Sequence, residues 1–355
     1  MNNAHILVLG AAYGLLPAMK LFKAGHRVTM VCRRDEQQAF ASNGAILAFK
    51  GVGDELGQVL TAPVQLGCGE DGHIGVAGPE MKIDSVDMVF LAMSEPYFAA
   101  PELEDLVARI SAANLPVVSI SNAPPPAFLK RLQLANAENL RPAYFAWETW
   151  SSLNPARVTA ASPDAQAVRR DPSKPNELWV TLGSNFKIAP FEFAEDQALL
   201  ERLAKDISAV RHNGLPVKVQ FIPHASLFAP LAKWPMLVAG NCRCLKPDGS
   251  LHSISEAVRG DVVASEAAYE WTMDLVRDLG ANDNELVPFR HYAAVAKRLS
   301  APSSFARAVH AGAKQVERCD KIVQLVGQSL GRSLPELDAI AEQVDKALAN
   351  GQKIA

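Results

Sequence analysis

Apolar positions open the chain in short runs that alternate with helical stretches. His5, Ile6, Leu7, Val8 and Leu9 form one run ending at Gly10; Ala11, Ala12, Tyr13 and Gly14 then lead into an apolar helical stretch over 15–22. After Ala24, Gly25 and His26, residues 27–32 (RVTMVC) have the texture of a second strand. The order is strand, glycine-bearing turn, helix, strand. In such a unit the turn feeds a helix N-terminus, whose free N–H groups and dipole can hold a pyrophosphate. Strands are expected at 44–49 and 59–66 around a turn region at 51–57. The nearly continuous apolar run 86–93 suits a strand buried on both faces of a parallel sheet. A helix starts at Pro101 and carries Leu103, Leu106, Val107 and Ile110; the next strand, 116–121, ends at Asn122.

From 144 to 193 the texture becomes β-rich. Short runs at 158–161 and 178–182 flank one exposed polar loop, 169–176 (RRDPSKPN). A helix over 194–211 and a strand over 217–222 follow. Beyond His224 the pattern is helical, at 258–279 and 305–330, and a capping box from Ser333 to Glu336 starts a last helix with Leu337, Ile340, Val344 and Leu348 on one stripe. The prediction is an α/β fold: a Rossmann-type dinucleotide-binding domain over 1–224, then an all-helical C-terminal domain over 225–355. Ligands of such sheets bind outside the carboxyl ends of the strands, so Ser94 and Asn122 face the expected site.

Composition narrows the classes. A chain of 355 residues can hold two cores, and 49% hydrophobic with 21% charged residues is ordinary for a globular protein. A net charge of −3 gives no sign of nucleic acid or an anionic membrane as partner. No apolar run approaches the ~20 residues that span a bilayer, and the chain enters its first strand with no basic-then-apolar leader. Five cysteines without framework spacing fit a reducing cytoplasm. Cys242 and Cys244, without histidine or further cysteine pairs nearby, read as packed thiols, and no metal is expected.

The glycine motif departs from G-x-G-x-x-G. Gly10 holds the first place, Ala12 stands at the third, and Gly14 falls at the fifth, so the turn is one residue short. A purely structural unit that binds nothing remains the alternative for this stretch. At the end of the second strand an acidic residue would bond a ribose 2′-hydroxyl, whereas arginine accommodates a 2′-phosphate; Arg33 and Arg34 point to NADP(H). The candidate cofactor contacts are Gly10, Ala11, Ala12, Tyr13, Gly14, Arg33, Arg34, Ser94 and Asn122.

The ordered landmarks of the whole chain carry a resemblance. They are the nucleotide-binding start with Ala24, Gly25 and His26; Arg33; the buried strand before Ser94; and Asn122 after a strand. Lys233 with Asn241, then Pro302, Ser303 and Ser304, and finally Leu330 and Gly331 before a capped helix complete them. This order resembles the ketopantoate reductase (2-dehydropantoate 2-reductase) family. The resemblance implies an NADPH-binding domain, a helical domain, a cleft between them, a small 2-oxo acid substrate reduced to its hydroxy acid as in pantothenate biosynthesis, and a homodimer. It makes Lys233 the proton donor to the ketone and Asn122 a group near the nicotinamide. Asn241, Ser303, Ser304 and Gln315 are implied as substrate contacts, with Glu317 taking the place of Gln315 if the alignment slips. Ser94, Leu237 and Gln315 depart from the residues expected at their places. The bland readings are a solvated lysine at 233, a helix cap at Ser303 and a boundary histidine at His224, which is otherwise a second candidate acid. An opine-type dehydrogenase and a non-catalytic NADP(H)-binding sensor are the alternatives in function.

Overall fold

The structure is a computed structural model that describes residues 3–51, 56–132, 134 and 137–350. Eleven strands enter the two main sheets: β1 (His5–Leu9), β2 (Arg27–Val31), β3 (Ala45–Lys50), β4 (Leu56–Ala62), β5 (Val64–Leu66), β6 (Ile74–Ala77), β7 (Met88–Leu91), β8 (Val117–Ser119), β9 (Val158–Ala160), β10 (Gln166–Val168) and β11 (Glu177–Leu182). The first sheet is wholly parallel in the order β5-β6-β2-β1-β7-β8-β9. Every residue of β1, β7 and β8 is buried, which suits their largely apolar sequences. The chain builds outward from β1 through β2 and β6, then returns to lay β7 on the other side of β1. That reversal is the switch point of a doubly wound, Rossmann-type sheet. The helices α1 (Leu15–Lys23), α2 (Arg34–Asn43) and α3 (Pro101–Ala112) follow β1, β2 and β7 in the chain.

A second sheet, β10-β11-β3-β4, has antiparallel outer pairs and a parallel β11–β3 pair joining segments far apart in sequence. The strand expected over 59–66 is thus two strands in two sheets. Pro63, which has no N–H for a ladder, stands at the break, and its carbonyl accepts from Ile74 N at 3.0 Å. The strand expected over 217–222 shrinks to Phe221–Pro223, because Val219 takes a φ of 67° that no regular strand permits. Part of the turn expected at 51–57 lies outside the described residues.

Two compact units emerge: residues 1–93, 97–128 and 148–227, and residues 94–96, 129–147 and 228–355. The second is helical; among its described residues the only β-pairing is one bridge, Leu245 with Leu251. The helix expected over 258–279 is broken at Gly260 and Asp261, where Asp261 accepts from Ala264 N at 3.0 Å and starts Val262–Asp278. That expected over 305–330 is likewise two helices, Ser304–His310 and Cys319–Ser329, with Gly312 at φ 78° between them.

One residue runs against the pattern in the first unit. Lys20 on α1 is 0% exposed, and its Nζ donates to the Val217 carbonyl at 3.2 Å. Burial pushes its pKa down from 10.5 to about 8. Between those values the unfolded chain holds the proton more firmly than the folded one, so this group makes stability rise as pH climbs from about 8 to 10.5. Lys20→Met is expected to flatten that rise and to stabilise the protein below pH 8 by about 1–3 kcal/mol, read by urea unfolding at pH 7 and 10. A lower midpoint for the variant at pH 7 would show that the ammonium is a net stabiliser.

Candidate active site

At the carboxyl end of β1 the chain turns at once. Gly10 takes φ 106°, and a Cβ there would meet Met93 Cγ at 2.3 Å and the Ala92 carbonyl oxygen at 3.0 Å. Only glycine lets the ends of β1 and β7 close on each other. At Gly14 a Cβ would lie 1.9 Å from the Gly10 oxygen, so the short turn closes through the second glycine. The Gly10 N–H donates to Val31 O at 2.9 Å and ties the turn to β2. Tyr13 donates its hydroxyl to the Ala165 carbonyl at 2.7 Å and sets its ring edge-on to Phe186, which leaves the small, exposed Ala12 on the outer face. Among the described residues, the N–H groups of Ala11, Ala12, Tyr13 and Gly14 make no hydrogen bond. Four donors therefore gather where a helix begins, an arrangement that fits a pyrophosphate despite the missing residue.

Two further strand ends carry expected contacts. After β2, Arg33 caps α2: its N–H donates to Glu36 Oε2 at 3.2 Å, while its guanidinium is 75% exposed and 3.6 Å from the carboxylates of Asp35 and Glu36. Arg34 is exposed. After β8, the hydroxyls of Ser119 and Ser121 are bonded at 2.8 Å, and Ser121 donates to the Ala123 carbonyl at 2.7 Å. This clamp holds the turn that presents half-buried Asn122. Ser94 is exposed and belongs to the second unit.

In the second unit residues 231–244 form one helical run whose bonding changes along its length. A tight turn and a short α segment give way to a wide, π-type turn over Leu237–Asn241. Pro235 lies in the first α turn, where its missing N–H breaks no bond. The wide turn has a local cause. Gly240 leaves the space that the Tyr292 hydroxyl fills, 1.8 Å from where a Cβ would be, and that hydroxyl donates to the Met236 carbonyl at 3.1 Å. Such turns recur at functional sites. Lys233 and Asn241 are half-buried on this run and Leu237 is buried. Ser303 donates to the Asn241 carbonyl at 2.8 Å and accepts from Ala306 N at 3.1 Å, so its one proton is committed and it caps a helix; Ser304 beside it is exposed.

Glu317 is half-buried, whereas Gln315 is exposed. Lys233 and Glu317 both act on the buried Cys319 thiol, which burial pushes well up, Glu317 raises further and Lys233 lowers. Tyr144 is raised by burial and then by Glu95, Cys319 and Glu317. Glu95 is 1% exposed and accepts the Ala146 N–H; burial raises its pKa to about 7, the Ala146 and Phe145 N–H groups oppose this, and Glu317 adds to it. Lys233, Glu317, Cys319, Tyr144 and Glu95 thus share one electrostatic neighbourhood. The sequence did not single out Glu95 and Tyr144; a lone acid in the otherwise uncharged stretch 88–101 was the available signal. His224 donates its N–H to Ile188 O at 2.8 Å and accepts from Ser226 N through Nδ1 at 3.2 Å. All five cysteines are free thiols, Cys242 and Cys244 are buried, and no metal-holding cluster exists among the described residues.

No family model matches the chain, and neither does any curated protein. Solved structures do. A PanE/ApbA-family ketopantoate reductase from Ralstonia eutropha JMP134 superposes with a TM-score of 0.66 at 17% identity, covering 98% of this chain and 99% of that one. The chain has the ketopantoate reductase fold. Dimeric ketopantoate reductase from Staphylococcus aureus gives a TM-score of 0.61 at 10% identity over 98% and 100% of the two chains. D-mandelate dehydrogenase with NADH and anilino(oxo)acetate, a third example, gives 0.63 at 13% identity over 98% and 99%. No helix among the described residues is long and apolar enough to cross a membrane.

Glu95 titrates within this ketopantoate reductase fold in a way that stability can report. The folded chain keeps its proton to about pH 7 and the unfolded chain releases it near 4.5, so stability falls as pH rises between them. Glu95→Gln keeps an acceptor for Ala146 and should remove about 2–3 kcal/mol of that fall. A variant whose unfolding midpoint drops as steeply as that of the parent between pH 5 and 7 would assign the titration to another group.

Proposed function

We propose that the chain is a cytoplasmic NADPH-dependent reductase of a small 2-oxo acid, with 2-dehydropantoate as substrate and pantoate as product, the chemistry of pantothenate biosynthesis. The observation that carries the reading is the switch-point turn, where the N–H groups of Ala11, Ala12, Tyr13 and Gly14 make no hydrogen bond among the described residues just before α1 begins. In this reading residues 1–224 hold the cofactor and 225–355 the substrate and the contacts of a homodimer. The N–H groups of Ala11, Ala12, Tyr13 and Gly14 bind the pyrophosphate, Arg33 and Arg34 the 2′-phosphate, and Asn122 with Ser94 the nicotinamide end. When bound, the nicotinamide supplies the hydride. Lys233 Nζ then donates a proton to the carbonyl oxygen as negative charge develops there. Glu317, rather than exposed Gln315, accepts the substrate hydroxyl. The Ser303 proton is held by Asn241, so Ser304 and the Asn241 amide are the groups left to meet the carboxylate.

A second reading keeps the chemistry and changes the substrate. Leu237, four residues after Lys233, is buried where the resemblance expects asparagine, and an apolar side chain there suits a 2-oxo acid with a bulkier side chain. NADPH oxidation assayed with 2-dehydropantoate and a panel of 2-oxo acids and imines separates these readings, and a non-catalytic binding protein would turn over none of them. Lys233→Ala should lower kcat at least ~10-fold, general acids being worth ~10²–10⁴-fold, with NADPH affinity unchanged. Unaltered kcat in that variant would remove Lys233 from the chemistry.

A further inference from the structure

The loop read from sequence as merely exposed carries an arginine with an unmet edge. Arg169 follows β10, and its side chain is 19% exposed. It reaches α2 of the other sheet and places Nη1 on Glu36 Oε1. The other oxygen of that carboxylate, Oε2, accepts the Arg33 N–H at 3.2 Å and lies 3.6 Å from Arg33 Nε. One carboxylate, itself only 9% exposed, therefore bridges two arginines. The Cys32 thiol at the end of β2 responds to Glu36, Arg169, Asp35 and Arg33 together, which places all four at the strand end where dinucleotide folds bind the adenine ribose.

Nε and Nη2 of Arg169 are buried and have no hydrogen-bond partner among the described residues. These donors lie along one edge of the planar guanidinium and form the parallel fork that grips carboxylates and phosphates in two-point fashion. Burying such donors unmet is costly, and a structural ion pair alone would not aim them away from every acceptor. Glu36 is already engaged and Asp35 lies against Arg33, so the fork lacks an anion. The guanidiniums of Arg33, Arg34 and Arg169 outnumber the carboxylates of Asp35 and Glu36. The neighbouring Arg170 stacks 3.5 Å over the Trp179 ring and anchors the loop. Arg33 and Asp35, both mostly exposed, are free to swing and admit a ligand.

We propose that Arg169 is a second recognition residue for the cofactor's 2′-phosphate, with Glu36 as the positioning residue that holds it beside Arg33. This rests on the nicotinamide-cofactor reading above. The test is calorimetric titration of the full chain with 2′,5′-ADP and with 5′-ADP, which needs no turnover. The wild-type chain should bind 2′,5′-ADP more tightly, and Arg169→Gln should weaken that binding at least about tenfold while leaving 5′-ADP unchanged. Arg33→Ala should keep part of the preference, and the Arg33→Ala, Arg169→Gln double variant should lose it. Because Arg169→Gln strands a buried carboxylate, Glu36→Gln with Arg169→Gln is the companion that keeps the fold, and it should show the same loss. Retention of the wild-type preference in both Arg169 variants, or equal weakening toward the two nucleotides, would overturn the proposal and leave the cofactor reading standing. A wild-type chain that binds 5′-ADP but shows no preference for the 2′-phosphate would do the same. A wild-type chain that binds neither nucleotide would bring down the cofactor reading and the proposal with it.

Discussion

Gly14 approaches the Gly10 carbonyl so closely that a Cβ would stand 1.9 Å from the oxygen, and much of the first unit is hung on that approach. The close contact lets α1 begin immediately after β1, within a turn shorter than the usual glycine motif. An early start brings the whole apolar face of α1 down on the sheet, where residues 15–21 are all buried. It also keeps the ends of β1 and β7 together, since Gly10 abuts Met93 and Ala92. The four unbonded N–H groups of the turn and the packing of the sheet share one cause, so a side chain added at position 14 would disturb both.

The sequence revealed this part well because its signals are local. Apolar runs marked β1 and β7, the strand-like run RVTMVC marked β2, and glycines marked the turn between β1 and α1. The second sheet was less legible. β3 pairs with β11 across more than a hundred residues, and periodicity says nothing of which partner a strand will choose. The 59–66 run looked like one strand because apolar spacing continues through Pro63, yet a residue without an N–H lets the chain leave one sheet for the other. In the helical unit the apolar stripe ran on through Gly260 and Gly312, and only the caps revealed the breaks. Arg169 was hidden for a related reason: polar loop residues look alike until a distant carboxylate, here Glu36, gives one of them a place.

The candidate site of the second unit depends on charges taken out of water. Arg318 is 4% exposed and meets Asp320, 0% exposed, at 2.8 Å, and it also bonds Asp345 of the last helix. Deleting either member of the buried Arg318–Asp320 pair would leave the other's charge buried, whereas Asp345 is 44% exposed and also meets Lys321 at 2.8 Å. The effect of the pair is positional. Arg318 lies between Glu317 and Cys319, and fixing it fixes the backbone that carries those two side chains. No spacing rule shows the link to Asp345, which only folding brings to Arg318.

The wide turn over Leu237–Asn241 has a consequence for how positions along its run are counted. A helix bonded throughout in one pattern is a ruler, and counting along it by fours finds residues on the same side. Where one turn takes in an extra residue, the ruler changes its gradation, and the rest of the run, through Cys244, is rotated relative to a helix bonded in one pattern. Tyr292, from a separate helix, holds that extra residue in place. Counting by fours from Lys233 therefore loses its face of the helix within this turn, and Asn241 does not fall where an unbroken helix would put it.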